Sequence, residues 1–156
     1  MARDHHYEII TSWSGAAAGP TTDYKSYSRE YRFHAGDKPE QRGSADPAFH
    51  GDPALYNPEE LLVAALSSCH MLSYLALCAL QGVQVVAYED KASGTMAESH
   101  GAGAFTEVVL HPQVTIAKGG DRAKAAALHE KAHEICFIAA SVNFPVRHEV
   151  TIGEAG

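Results

Sequence analysis

Three cysteines are the residues best suited to chemistry in this 156-residue chain, and their settings differ. Cys69 lies midway along a long apolar stretch, where Ser67, Ser68 and His70 make a polar break. Such a break inside a core asks for a reason, and a wet pocket around a thiolate would supply one. Cys136 lies near the end of a later amphipathic stretch. Cys78 shares the first stretch with Cys69, but nine residues at about 100° each turn it to the opposite helical face. There it stands among Leu75, Leu77 and Leu80 and reads as core. One reading makes Cys69 a peroxide-reacting thiol, Cys136 its resolving partner and Cys78 a bystander. The other makes all three small buried hydrophobes.

Two further patterns carry chemistry. His129-Glu130-Lys131-Ala132-His133 matches H-E-x-x-H, the spacing that puts two imidazoles on one helical face in zinc peptidases, with the glutamate as general base. No third ligand stands at a matching distance, since His148 and Glu149 lie beyond Pro145, so the plain reading is an amphipathic helix flanked by histidines. Glu59 and Glu60 suit the positive end of a helix dipole, a role that accounts for at least one of them. Glu59 stands ten residues before Cys69, about 15 Å along one helix, so within one chain it does not reach that sulfur. If Glu59 serves Cys69, it comes from a second subunit.

The chain suffices for a single domain, residues 1–156, which buries about two-thirds of its surface without disulfide or metal staples. Its 46% apolar and 20% charged content is that of a globular protein. A net charge of −7 argues against nucleic-acid or anionic-membrane partners, which need clustered Lys and Arg. The start, MARDHHYEII, has no signal-peptide pattern, which predicts a cytoplasmic protein with reduced thiols. Three cysteines without short paired spacings fit neither a secreted disulfide framework nor a four-cysteine zinc site. The ten histidines scatter along the chain and imply sensitivity to pH.

The elements that must position these residues follow an α+β pattern. Tyr7 to Trp13 and the alternating Asp23 to His34 read as strands, and the Gly/Pro/Asp/Ser-rich segment from Ala35 to Tyr56 as a long exposed loop. A helix should run from Pro58 to Gln81, with Asn57 as N-cap and Gly82 as its left-handed stop. It is apolar nearly all round and so belongs at the centre of the structure. A membrane span is disfavoured by Ser67, Ser68, His70 and Ser73 in its middle. VQVVAYEDKASGTM and AFTEVVLHPQVTIAKG form a hairpin turning near His100 to Gly103. A second helix opens at Asp121 and runs through Ile135, with Ala125, Leu128, Ala132 and Ile135 facing the core. CFIAAS is a short turn or helix, and VRHEVTI a last strand.

NPEELLVAALSSCHM resembles the N-P-E-x-L…C signature of the OsmC/Ohr proteins, thiol peroxidases that remove organic hydroperoxides. AHEICFIAASVNFPV puts Cys136 where that family carries its resolving cysteine, although Phe137 stands where members usually show proline. The likeness extends from about His5 to Ile152 and marks a divergent branch. It implies an OsmC-like fold of β-sheets around a long central helix and a second helix, in an intertwined homodimer with each site at the subunit interface.

By the same resemblance, Cys69 is the peroxidatic thiolate, Cys136 resolves its sulfenic acid as a disulfide, and Glu59 is the active-site acid. In the family that acid orients an arginine. Here the nearest candidate is His50, with Arg42 further upstream. Arginine is always charged and histidine only when protonated, so the pH profile should differ from that of typical members. The substrate would be an organic hydroperoxide, with Leu66, Met71 and Leu72 favouring apolar ones, and the reductant a dithiol or lipoyl-bearing protein. The chemistry calls for no cofactor and no metal. Two alternatives remain: a non-enzymatic redox-responsive or ligand-binding dimer of the same fold, and a zinc hydrolase built on His129, Glu130 and His133.

Overall fold

The computed structural model describes residues 3–156, and the chain forms two compact units, one up to Leu61 and one from Leu62 to Gly156. In the first unit, β1 (Ile10–Ser12), β2 (Tyr31–His34) and β3 (Gln41–Gly43) form an antiparallel sheet in the order β1-β2-β3. The expected strand from Asp23 begins only at Tyr31. Asp23 instead makes a turn, its side chain accepting from the Lys25 N–H at 2.9 Å, because a short acid competes well for nearby amides. The expected loop from Ala35 to Tyr56 also holds structure, namely β3 and a 3-10 turn at Pro47–Phe49. Asp46 caps that turn by accepting from the Ala48 N–H at 2.7 Å.

Helix α1 (Pro58–Leu80) starts in the first unit and continues through the second. Its start is a reciprocal capping box. Asn57 Oδ1 accepts from the Glu60 N–H at 2.8 Å, and Glu60 Oε2 accepts from the Asn57 N–H at 3.1 Å. Gly82 ends the helix at φ 73°, and the Val83 N–H returns to the Cys78 carbonyl at 2.9 Å. By length and composition α1 is apolar enough to cross a bilayer. Within the chain, however, it buries one stripe, Leu66, His70, Tyr74 and Cys78, at a spacing of four. Leu72 and Leu80 stay 63% and 81% exposed.

In the second unit, β4 (Val85–Asp90) and β5 (Ser93–Ser99) lie antiparallel to β7 (Pro112–Ile116) and β6 (Ala102–Leu110) respectively. The two predicted strands are thus one bent hairpin divided between two sheets. It turns at His100 and Gly101, both with positive φ, 54° and 77°, as a two-residue hairpin turn requires. The bend is held by Asp90, whose carboxylate accepts from the His111 N–H at 2.7 Å and from Ser67 Oγ at 2.5 Å. After helix α2 (Arg122–Glu134) the last predicted strand also divides. β8 (Val146–His148) adds parallel to β6, and β9 (Thr151–Glu154) parallel to β7.

Two apolar clusters fill this unit. The Tyr74 end of α1 packs with Val114, Ile116, Ala125, Leu128 and Ala132 between α2 and the β4-β7-β9 sheet. Leu66 packs with Val108 and Leu110 against Phe105, Ile138 and Phe144. Ala125, Leu128 and Ala132 face inward on α2 as the spacing predicts, but Ile135 is 48% exposed. The helix is already ending there, with Ile135 at φ −103° and ψ 3°, so the inward place passes to Cys136.

Candidate functional site

The two cysteines far apart in sequence meet in the second unit. Cys69 is half-buried on α1, Cys136 is buried just past α2, and both are free thiols. Burial pushes the Cys136 thiol up to about 11, and a hydrogen bond with Cys69 adds to the rise. The backbone N–H groups of Ala139 and Ile138 point at the Cys136 sulfur and oppose the rise. Cys78 is buried in the core, and burial raises its thiol too.

The polar break around Cys69 has another explanation than the expected wet pocket. Ser67 donates to Asp90, Ser68 Oγ donates to the Ala64 carbonyl at 2.7 Å, and His70 turns inward to His129. Of the apolar residues expected beside Cys69, Leu66 is fully buried in the second cluster, Met71 is half-buried and Leu72 is exposed. Phe137, next to Cys136, is 75% exposed.

The other expected site residues belong to the first unit. Glu60 is consumed by the capping box, so Glu59 is the acid left over, with Oε2 buried and without a hydrogen-bond partner among the described residues. Its field and burial together raise the Tyr31 phenol, burial contributing more. Neither candidate cation pairs with it. Arg42 Nε donates to Glu30 Oε1 at 3.0 Å. His50 closes the Pro47–Phe49 turn in the left-handed region at φ 63°, its ring edge-on to Tyr24 at 5.3 Å. No ion pair involves Glu59 among the described residues.

The H-E-x-x-H run makes different bonds from those of a metal centre. His129 is fully buried, with Nδ1 2.9 Å from His70 Nε2 and its ring stacked on Tyr74 at 3.7 Å. Glu130 Oε1 pairs with His148 Nε2 at 3.1 Å. Among the described residues no group of three His, Cys, Asp or Glu side chains is arranged to hold a metal ion. Burial lowers both buried imidazoles, His70 to about 4 and His129 to about 3, so they are neutral near pH 7. The sequence expectation does not pair His70 with His129. The signal is nevertheless there, since His70 falls on the same four-residue spacing as Leu66, Tyr74 and Cys78.

Comparison with known proteins bears on this arrangement. A family model described as OsmC-like protein matches residues 50–151. An OsmC-like protein of unknown function from Vibrio cholerae is 35% identical, with a TM-score of 0.85 over 95% of this chain and 100% of its own. An organic hydroperoxide resistance protein from Elizabethkingia anophelis is 16% identical, with a TM-score of 0.70 over 99% of this chain and 100% of its own. A second such protein, from Bacillus subtilis, is 19% identical, with a TM-score of 0.60 over 94% of this chain and 98% of its own. The last two share the fold. No curated protein matches the chain.

Proposed function

Since this chain belongs to the OsmC-like family, we propose that it is a thiol peroxidase that reduces organic hydroperoxides. The observation that carries the reading is the proximity of Cys136, just past α2, to Cys69 on α1, close enough for each thiol to act on the other. Cys69 is the more accessible thiol and acts as nucleophile. Its thiolate attacks the terminal peroxide oxygen, the O–O bond breaks, and the alcohol leaves with a proton, giving a sulfenic acid on Cys69. Cys136 attacks that sulfur, water departs, and the Sγ–Sγ bond forms. An external dithiol or lipoyl-bearing protein restores both thiols by exchange. The cycle needs a reducing compartment, which suits the cytoplasm.

Glu59 is proposed as the acid of this site. Support comes from its unpartnered, buried Oε2, the atom left after the capping box takes Glu60. Ten residues of helix separate it from Cys69, about 15 Å, so it would serve the site of a second subunit. The exposed apolar side chains of α1, Leu72 and Leu80, support a homodimer in which two copies work as one body. His50 is retained as the cation candidate because Arg42 is already held by Glu30.

One observation favours the second reading, a redox-responsive dimer without turnover: no cation pairs with Glu59 among the described residues. Peptide mapping after one equivalent of cumene hydroperoxide separates the readings when combined with turnover by a dithiol. The peroxidase gives a Cys69–Cys136 disulfide in wild type, no oxidation in Cys69→Ser, a trapped sulfenic acid in Cys136→Ser, and continuous alcohol release. A disulfide without continuous release points to the responsive dimer, and one through Cys78 sinks both readings.

A further inference from the structure

Two buried imidazoles tie α1, which carries Cys69, to α2, which ends just before Cys136. His70 follows Cys69 on α1, and His129 lies on α2, two turns before Cys136. His70 Nε2 and His129 Nδ1 are 2.9 Å apart, and both residues are almost wholly buried. Tyr74, one turn further along α1, stacks on His129 and donates to the Ala125 carbonyl at 3.1 Å. Thus one short stretch of α1 holds one short stretch of α2 by directional polar contacts.

The packing around them is of another kind. Ala125, Leu128 and Ala132 meet Val114 and Ile116 by non-directional burial, and small alanines tolerate sliding. A slide of one residue along a helix is about 1.5 Å, enough to break a 2.9 Å hydrogen bond and to change the spacing of the neighbouring Cys69 and Cys136 thiols. An apolar pair at 70 and 129 would pack without loose ends, whereas the imidazoles leave His70 Nδ1 and His129 Nε2 buried without partners among the described residues. Buried polar pairs that carry such a penalty are best attested as devices that fix register. The chain continues from α2 to the thiol without a break in bonding, since the Cys136 N–H reaches the His133 carbonyl at 3.3 Å.

We propose that the His70–His129 hydrogen bond is a register pin between α1 and α2, which aligns the Cys69 and Cys136 sulfurs and so sets how readily their disulfide forms. The two histidines are positioning residues. The inference rests on the reading of Cys69 and Cys136 as a disulfide-forming pair and not on peroxide turnover.

The test equilibrates the protein with reduced and oxidised dithiothreitol. Oxidised dithiothreitol takes two electrons and two protons from the two thiols, the Sγ–Sγ bond forms, and dithiothreitol becomes the dithiol. Alkylation and peptide mapping then give the equilibrium constant for the Cys69–Cys136 bond. His70→Leu and His129→Leu each lower it about tenfold, a shift of about 30 mV. His70→Gln/His129→Asn, whose amides occupy the Nε2 and Nδ1 positions, returns it to within about threefold of wild type. His70→Asn/His129→Asn keeps two amides but is too short to bond, and loses about tenfold. This matched pair decides the matter even if the leucine variants do not fold. Equal constants for the Gln/Asn and Asn/Asn variants, or wild-type constants in folded leucine variants, overturn the pin. A wild type that forms no Cys69–Cys136 disulfide at any ratio of reagents overturns the reading of the pair itself. A protein that passes this test yet consumes no hydroperoxide keeps the pin and loses the peroxidase.

Discussion

A thiol that is buried, held protonated and bonded to a neighbouring sulfur is a weak nucleophile, and that describes Cys136. The proposed division of labour between the thiols rests on burial rather than on position in the chain. Iodoacetamide near neutral pH should therefore modify Cys69 at least about tenfold faster than Cys136 or Cys78, read by peptide mapping over time. Equal rates at Cys69 and Cys136 would remove the basis for calling one the attacker. The two acids at the head of α1 divide as sharply. Glu60 closes the capping box, so Asn57→Ala should lower stability by about 1 kcal/mol and Glu60→Ala by somewhat less. Glu59→Ala should leave the denaturation midpoint nearly unchanged, which urea titration of the three variants checks.

At the scale of elements, the α1–α2 contact carries a pH dependence whose sign is fixed. The folded state holds His70 near 4 and His129 near 3, below the ordinary 6.5, because burial penalises the charged ring. His148, His133, Asp90 and Glu130 also act on His70, the first two lowering it and the last two raising it. Between the folded and unfolded values the unfolded chain binds more protons, so this contribution is complete above about pH 6.5 and is lost as pH falls toward 4 and 3. The loss is on the order of a few kcal/mol. Melting temperature should fall steeply below pH 6.5, and His70→Leu/His129→Leu should flatten that slope. An unchanged slope would place the acid sensitivity elsewhere.

What is legible in the sequence at this scale is local. Asn57, Gly82 and Asp121 mark the helix ends because caps act within one turn, and the structure has α1 at Pro58–Leu80 and α2 at Arg122–Glu134. The division of each long strand between two sheets is not legible, since Asp90 makes the bend with partners 21 and 23 residues away. The meeting of Cys69 with Cys136 comes from likeness to a family, because periodicity shows a helical face and not what faces it. His70 reads as a member of a wet niche while its partner lies 59 residues on. The strand expected from Asp23 to His34 fails where side-chain capping by Asp23 outweighs aromatic alternation.

For the whole molecule the informative feature is unsatisfied apolar surface. Leu72 and Leu80 on α1, together with Ile135 and Phe137 after α2, are all substantially exposed in the single chain. Sedimentation at micromolar concentration should give a dimer, and Leu72→Glu should shift it to monomer without loss of helical signal. A monomeric wild type would remove the second subunit from the proposed site, and with it the route by which Glu59 could act.

The parallel strands also set the order in which the second unit comes together. The β5–β6 hairpin closes through a two-residue turn and forms within microseconds. Val108 and Val146 pair across about 40 residues, with α2 in between, so β8 waits for that helix to dock. The Cys69–Cys136 contact lies past the same helix. Pairing of Cys136 with Cys69 is thus expected only after that helix docks, and an oxidant that arrives earlier meets Cys69, Cys78 and Cys136 all unburied.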